Sequence, residues 1–168
     1  MKEVRKVAFF DLDGTLVAPR FYLDGTTPII GFQPEDWVKY CEERVDAYKD
    51  SVIVHQVYNY ATNLWLQGWE LHILTVAEEL PDIYAKSDFI NKSKLAWLFK
   101  DTHFVKKTDE KIKFLEDFLN KKHVDPANCL LVEDTLSTLY KCCKLGIKLM
   151  HISHIVSNCY DPRTGNLE

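Results

Sequence analysis

The chain has 168 residues, of which 46% are apolar and 27% charged, so a packed globular fold is expected rather than a disordered chain. The formal net charge of -4 gives no general attraction to nucleic acid or to anionic membranes, so nucleic acid is not indicated as a partner. The five cysteines form no C-x-x-C pair, which excludes a zinc-finger type of metal site and indicates reduced thiols.

The first residues and the longest apolar runs bear on location. The N-terminal segment lacks the apolar region of a signal peptide, and no run reaches eighteen apolar residues. We therefore expect a cytoplasmic protein with no membrane partner. No shift in composition divides the chain, which predicts a single domain over residues 1–168.

The apolar runs have the length of β-strands. The first, residues 4–10, is rich in β-branched and aromatic side chains and ends at an Asp-Gly turn, which favours a buried strand. Further strands are predicted over residues 70–75, 102–105, 129–132 and 148–152. Helices are predicted over residues 34–50, 51–67, 91–99, 109–122 and 135–145.

Strands that alternate with helices predict an α/β fold, a doubly wound, Rossmann-like parallel sheet with helices on both faces. The exception is a small insert over about residues 17–50, in which Asp24-Gly25 predicts a hairpin ahead of the helix. Sheets of this class bind ligands at the carboxyl ends of their strands. Polar clusters that follow the predicted strands are therefore the candidates for a functional site.

Two aspartates come directly after the first strand. Asp11 falls at its carboxyl end, and Asp13 precedes Gly14 in a turn. An Asp-Gly turn that only ends a strand is the simpler interpretation. A calcium loop is disfavoured, because Gly14 comes too early for an EF-hand and the twelfth position is Tyr22 rather than glutamate.

The segment FFDLDGTL at positions 9–16 resembles the first motif of the haloacid dehalogenase superfamily, Asp-x-Asp-Gly-Thr after a buried strand. The resemblance implies that fold, capless or with a small cap. It also implies that Asp11 is a covalent nucleophile and that Asp13 donates and accepts the proton. Asp13 favours a phosphatase or phosphotransferase over a dehalogenase, because it can activate the water that ends the reaction.

The same resemblance suggests the next two motifs. Thr75 matches the threonine or serine at the end of the second strand, although threonines are common at strand ends. Lys111 matches the motif lysine, since it opens a helix and Leu115 follows four residues later. Lys107, nearer the strand end, is the alternative.

The fourth motif is LLVEDT at positions 130–135. Asp134 aligns with the metal-binding aspartate of the family, and Glu133 stands where glycine is frequent. Glu133 is either a further metal ligand or a residue that favours the start of the next helix. Thr138 stands four residues after Asp134, where the family often repeats an acid.

Together the motifs imply a Mg²⁺-dependent phosphatase that works through an aspartyl-phosphate intermediate. The implied metal ligands are the carboxylates of Asp11 and Asp134 and the main-chain carbonyl of Asp13, with Glu133 as a further candidate, and the implied phosphate-binding residues are Thr75 and Lys111. Arg20, in the insert, is a candidate substrate contact, although surface charge is the simpler interpretation. The expected substrate is a phosphorylated small metabolite, a nucleotide or an exposed phosphate on a macromolecule. Transfer to an acceptor other than water and a non-catalytic binding module, supported only by Thr138, are the alternatives.

Overall fold

The computed structural model of the chain describes residues 5–18, 48, 51–157, 160–161 and 166–167. In chain order, its strands are β1 (Lys6–Phe10), β2 (Val17–Ala18), β3 (Val52–Ile53), β4 (Trp69–Val76), β5 (Asp101–Val105), β6 (Cys129–Glu133), β7 (Lys148–His151), β8 (Tyr160–Asp161) and β9 (Asn166–Leu167). Its α-helices are α1 (His55–Leu66), α2 (Leu80–Lys92), α3 (Leu95–Leu98), α4 (Thr108–Lys122), α5 (Leu136–Cys142) and α6 (Ile152–Ser157). Two short 3₁₀ helices cover Pro126–Asn128 and Cys143–Leu145.

Five strands form a parallel sheet in the order β5-β4-β1-β6-β7. The first strand of the chain lies in the middle, with β4 on one side and β6 on the other. The carboxyl ends of these three neighbours therefore meet at one edge of the sheet. The predicted α/β fold, with a Rossmann-like parallel sheet, is confirmed.

The hydrophobic core lies on both faces of the sheet. Alternate residues of β1 point to opposite faces, Ala8 and Phe10 to one and Val7 and Phe9 to the other. Helices α1, α2, α3 and α6 cover the first face, and α4 and α5 cover the second. A strand buried on both faces needs apolar side chains at every position, which explains the continuous apolar runs in the sequence.

Two of the predicted helices differ from the structure. The helix predicted over residues 51–67 begins only at His55, because Val52–Ile53 pairs with Val17–Ala18 in an antiparallel ribbon. The helix predicted over residues 91–99 is wrong. A longer helix, α2, precedes that segment, and α3 follows it after a break at Ser93.

The Ser93 hydroxyl explains this break. It donates a hydrogen bond to the Ile90 carbonyl (3.0 Å) and accepts one from the Leu95 N–H (3.2 Å). The side chain thus ends one helix and begins the next. The pattern of residues 91–99 spans this junction and could not reveal it.

The predicted insert falls largely outside the described residues, as do its hairpin at Asp24-Gly25, most of the helix over residues 34–50, and Arg20. Val17–Ala18 and Tyr48 are described, and Tyr48 is buried. Within the described part of the chain, no helix combines the length and the apolar character needed to span a membrane.

Candidate active site

Side chains from three strands meet at the carboxyl edge of the sheet. Asp11 follows β1, and its N–H donates a hydrogen bond to the Val132 carbonyl of the neighbouring strand β6 (3.0 Å). Thr75 lies near the end of β4 and Asp134 directly after β6. The sheet order, rather than nearness in sequence, brings these residues together.

A tight turn at Gly14 leads the chain away from Asp11. The Gly14 N–H donates to the Val17 carbonyl (2.9 Å), and the backbone has a φ of 75°. A Cβ atom at position 14 would lie only 2.3 Å from Asp134 Oδ2. Glycine therefore serves twice, since it adopts the left-handed conformation and leaves room for the Asp134 carboxylate.

Gly14→Ala is expected to lower turnover by more than its loss of stability would explain. The methyl group must displace Asp134, and a displacement of about 1 Å in such a site can lower turnover about 10²-fold. The matched control is Gly68→Ala, because Gly68 also has a positive φ (80°) but no atom lies within 4 Å of the added Cβ. The control should lose about 1–2 kcal/mol of stability and no turnover. Equal losses of turnover in the two variants would contradict the argument, and thermal unfolding separates the stability effect.

Lys111 occupies the space between two buried carboxylates. Its Nζ lies 2.7 Å from Asp11 Oδ1 and 2.7 Å from Glu133 Oε2, and the residue is 3% exposed. Burial alone would lower the pKa of Lys111, but the charges of Asp11 and Glu133 outweigh it and raise that pKa. Lys107, the alternative from the sequence, is exposed at the start of α4.

The acidic residues outnumber this lysine. One carboxylate oxygen each from Asp11, Glu133 and Asp134 lies within 4.8 Å of the others. Burial raises the pKa of Asp11 in spite of Lys111, and the charges of Asp13 and Asp134 raise it further. Burial and the charge of Asp11 likewise raise the pKa of Glu133 to about 8. Such crowding is relieved when a cation binds.

The donor set of this cluster fits a magnesium ion. All its ligand atoms are carboxylate oxygens, which hard divalent cations prefer, and no thiolate or imidazole is among them. The space kept open by Gly14 lies beside Asp134 Oδ2. Glu133 has one oxygen on Lys111, while its other oxygen accepts a hydrogen bond from the Thr135 N–H (3.4 Å). Its contact with Lys111 was not anticipated from the sequence.

Asp13 is held by two residues that the sequence did not point to. The Tyr48 hydroxyl donates to Asp13 Oδ1 (2.6 Å), and Lys86 Nζ lies 2.9 Å from Asp13 Oδ2. Lys86 belongs to α2, whose existence was not predicted, and Tyr48 belongs to the insert. No motif spacing links either position to Asp13.

Lys86 also reaches the end of β4. Its ammonium group donates to the Thr75 hydroxyl (3.5 Å) and to the Val76 carbonyl, and it lies 3.4 Å from Asp82 Oδ2, one turn earlier in α2. The residue is 2% exposed, although lysines are almost never fully buried unless paired. The Asp82-Lys86 spacing of four residues is the only signal in the sequence that such a pair exists.

His151 positions the backbone of Asp134. The Ser153 N–H donates to His151 Nδ1 (3.2 Å), so the proton of the neutral ring is on Nε2, which donates to the Asp134 carbonyl (2.7 Å). The Thr135 hydroxyl adds a hydrogen bond to Asp134 Oδ1 (3.3 Å). Thr138, where a second acid is often found, is buried in α5.

Comparisons with known proteins bear on the fold. No protein-family model matches the chain, and no curated protein matches it in sequence. Solved structures do match it, among them a haloacid dehalogenase-like family hydrolase from Xanthomonas campestris, with a TM-score of 0.61 and 13% identity over 88% of this chain and 82% of that one. A predicted phosphoglycolate phosphatase from Haemophilus somnus 129PT has a TM-score of 0.59 and 14% identity over 90% and 86%.

A third match contains a metal ion. The N-terminal part of the protein BF1531 from Bacteroides fragilis, which contains a phosphatase domain and is complexed with Mg, has a TM-score of 0.52 and 9% identity. The similarity covers 88% of this chain and 36% of that one. At these identities the similarity establishes the fold alone. The chain has the fold of the haloacid dehalogenase-like hydrolases.

Proposed function

We propose that this chain is a Mg²⁺-dependent phosphatase that hydrolyses a phosphomonoester through a phosphoryl group bound to Asp11. One observation carries the proposal. The Asp11 carboxylate lies at the carboxyl edge of the sheet, beside a buried lysine and within 4.8 Å of two further carboxylates. An anionic nucleophile next to a lysine and a cation-binding cluster is what phosphoryl transfer requires, because charge must be neutralised before the anion can attack phosphate.

The other residues of the site would bind the metal ion and the phosphoryl group. Asp11, Glu133 and Asp134, with the main-chain carbonyl of Asp13, would hold Mg²⁺, which neutralises negative charge on the phosphate when bound. The Lys111 ammonium group binds phosphoryl oxygens and stays beside Asp11. The Thr75 hydroxyl supplies a further hydrogen bond to the phosphoryl group.

The reaction has two steps. Asp11 attacks phosphorus, the bond to the leaving oxygen breaks, and Asp13 gives that oxygen a proton. Asp13 then takes a proton from water as the water attacks the aspartyl-phosphate, which releases phosphate and restores Asp11. Both Asp13 oxygens are hydrogen-bonded in the structure, Oδ1 to Tyr48 and Oδ2 to Lys86, and each oxygen keeps a second lone pair that can carry the proton.

Turnover of an aryl phosphate tests the proposed function. Release of the phenolate should depend on Mg²⁺, stop when EDTA is added, and return when Mg²⁺ is restored in excess. Turnover that persists in EDTA would count against a metal-dependent reaction. Addition of alcohols as acceptors, with analysis for phosphorylated alcohol, separates hydrolysis from phosphotransfer.

Lys86→Met is expected to lower turnover about 10²-fold, the smaller end of what a positioned acid or base contributes. The lysine holds Asp13 and the Thr75 hydroxyl, and methionine keeps the length of the side chain without its charge. The loss should fall mainly on kcat. Steady-state kinetics on the aryl phosphate measures it.

The control for this substitution is Lys92→Met in the same helix. The Lys92 side chain is 76% exposed and forms an ion pair with Asp88 one turn away. Exposed pairs of this kind contribute about 0.3–0.5 kcal/mol, so turnover should be unchanged. If Lys86→Met also left kcat unchanged, Lys86 would have only a structural role.

A further inference from the structure

A second group of metal-ligating side chains lies on β4 and β5, and we call it the His72 cluster, formed by His72, Asp101 and His103. One ligand atom of each residue lies within 4.8 Å of the other two. His72 pairs with Asp101 in the parallel register, and Asp101 is the first residue of β5. Thr75 lies three residues farther along β4, about 10 Å toward the carboxyl edge. The cluster is thus separate from the Asp11 site.

The His72 ring is fixed in place. It is 1% exposed, stacks on Phe9 at a centroid distance of 5.2 Å, and packs against the edge of Phe118 in α4 at 5.3 Å. A ring packed on two sides keeps each of its nitrogens in a fixed direction. Such order before binding lowers the cost of forming a ligand site.

Glu70 sets the tautomer of His72. Arg5 (2.6 Å) and Lys100 (2.9 Å) hold Glu70 as a carboxylate, which only accepts hydrogen bonds. Burial alone would raise the pKa of Glu70, but these donors and His72 lower it to about 2. His72 Nε2 lies 2.8 Å from Glu70 Oε1, so the proton of the neutral ring is on Nε2. His72 Nδ1 therefore carries a lone pair, as in the carboxylate-histidine-metal arrangement of zinc sites.

His72 Nδ1 lies close to two other ligand atoms. His72 Nδ1 lies 3.0 Å from His103 Nε2 and 3.9 Å from Asp101 Oδ2. In a tetrahedral zinc site with bonds of about 2.0–2.1 Å, neighbouring ligand atoms are roughly 3.4 Å apart. The two observed distances bracket that value.

We propose that the His72 cluster binds Zn²⁺ through His72 Nδ1, His103 Nε2 and an Asp101 oxygen, with water in the fourth position. Imidazole ligands favour Zn²⁺ over Mg²⁺, which distinguishes this cluster from the all-carboxylate site at Asp11. A cleft of about 450 Å³ beside the cluster admits the water. The Asp101 side chain is 55% exposed and free to turn toward the ion. Bound Zn²⁺ would cross-link the edge strand β5 to its neighbour β4.

Calorimetric titration of the chelator-treated full chain with Zn²⁺ tests the site, in a large excess of Mg²⁺ so that the Asp11 site does not compete. One Zn²⁺ should bind per chain. His103→Ala and Asp101→Asn should each weaken binding at least tenfold, and Glu70→Gln, which keeps every ligand, about 10- to 100-fold. His154→Ala is the control, because His154 is an exposed histidine outside the cluster. It should bind Zn²⁺ as the unchanged chain does.

Two results would overturn the site. One is no Zn²⁺ uptake by the unchanged chain in excess Mg²⁺, and the other is unaltered uptake by both His103→Ala and Asp101→Asn. In either case the contact between His72 Nδ1 and His103 Nε2 is a hydrogen bond and not part of a metal site. Circular dichroism reports whether each variant folds, and if His103→Ala does not, the exposed Asp101→Asn decides. Asp134→Asn should keep its Zn²⁺ uptake whatever its turnover, so this site and the proposed phosphatase are tested separately.

Discussion

Replacement of Asp11 by asparagine should lower kcat for an aryl phosphate by about 10³-fold or more, because an amide cannot replace the carboxylate as nucleophile. The substitution changes shape little, so the loss would report chemistry rather than misfolding. Asp88→Asn is the control, since Asp88 is an exposed aspartate of α2 outside the site. Turnover by Asp11→Asn equal to that of the control would remove Asp11 as the nucleophile and end the proposed mechanism.

The same variant is expected to be more stable than the unchanged chain when both are free of metal. Burial raises the pKa of Asp11 above its ordinary value of 3.8, so its ionised form costs folding free energy at pH 7. At a pH well below 3.8 the carboxyl is protonated in both the folded and the unfolded state, and the cost disappears. The gain from Asp11→Asn should therefore be larger at pH 7 than at pH 3, as measured by denaturant unfolding in EDTA.

Lower activity with higher stability is the expected signature of a site whose charges are held for function. After Asp11→Asn, the Lys111 ammonium group retains Glu133 as a single buried partner. Excess Mg²⁺ should stabilise the unchanged chain more than the variant, because the variant has lost one carboxylate of the cluster. If Asp11→Asn were instead less stable in EDTA at pH 7, the contact with Lys111 would outweigh the cost of burial.

The central strands and the position of Asp11 at the carboxyl edge of the sheet were predictable because their signals are local. A parallel strand covered on both faces needs apolar side chains, and β1 over residues 7–10 and β6 over residues 129–132 each provide four in a row. The paired aspartates follow β1 within three residues. Resemblance to a known motif added the order of the later residues, and the structure places Lys111, rather than Lys107, beside Asp11.

The contacts that were not predicted are those set by strand register and by helix packing. Lys86 lies in a segment of mixed polarity, where a lysine is expected to be exposed to solvent. In the structure, α2 packs this side chain against Asp13. His72 and His103 are 31 residues apart, and only the pairing of β4 with β5 brings their rings together. Sequence patterns carry periodicity along one element, but not the register between two.

Lys111→Met should have the largest effect on stability. Removal of one partner from a buried ion pair typically costs 3–5 kcal/mol, and here it leaves Asp11, Glu133 and Asp134 close together without a compensating charge. Turnover should fall about 10²- to 10³-fold, because a donor to the phosphoryl group is lost. The stability loss should shrink as the pH falls, since protonation of the acidic residues relieves their repulsion.

Lys107→Met is the matched control, since it removes the same charge from an exposed position one turn earlier. It should change stability by less than about 0.5 kcal/mol and leave turnover unaltered. Adding Glu133→Gln to Lys111→Met should restore part of the lost stability, because the double change also removes one acidic group from the crowded cluster. Urea unfolding at pH 7 of the unchanged chain, Lys111→Met, Glu133→Gln and the double variant measures the coupling between the two residues directly. If the double variant were no more stable than Lys111→Met, repulsion among the carboxylates would not be the cause. Loss of turnover in Lys107→Met, with Lys111→Met unaffected, would instead make Lys107 the motif lysine.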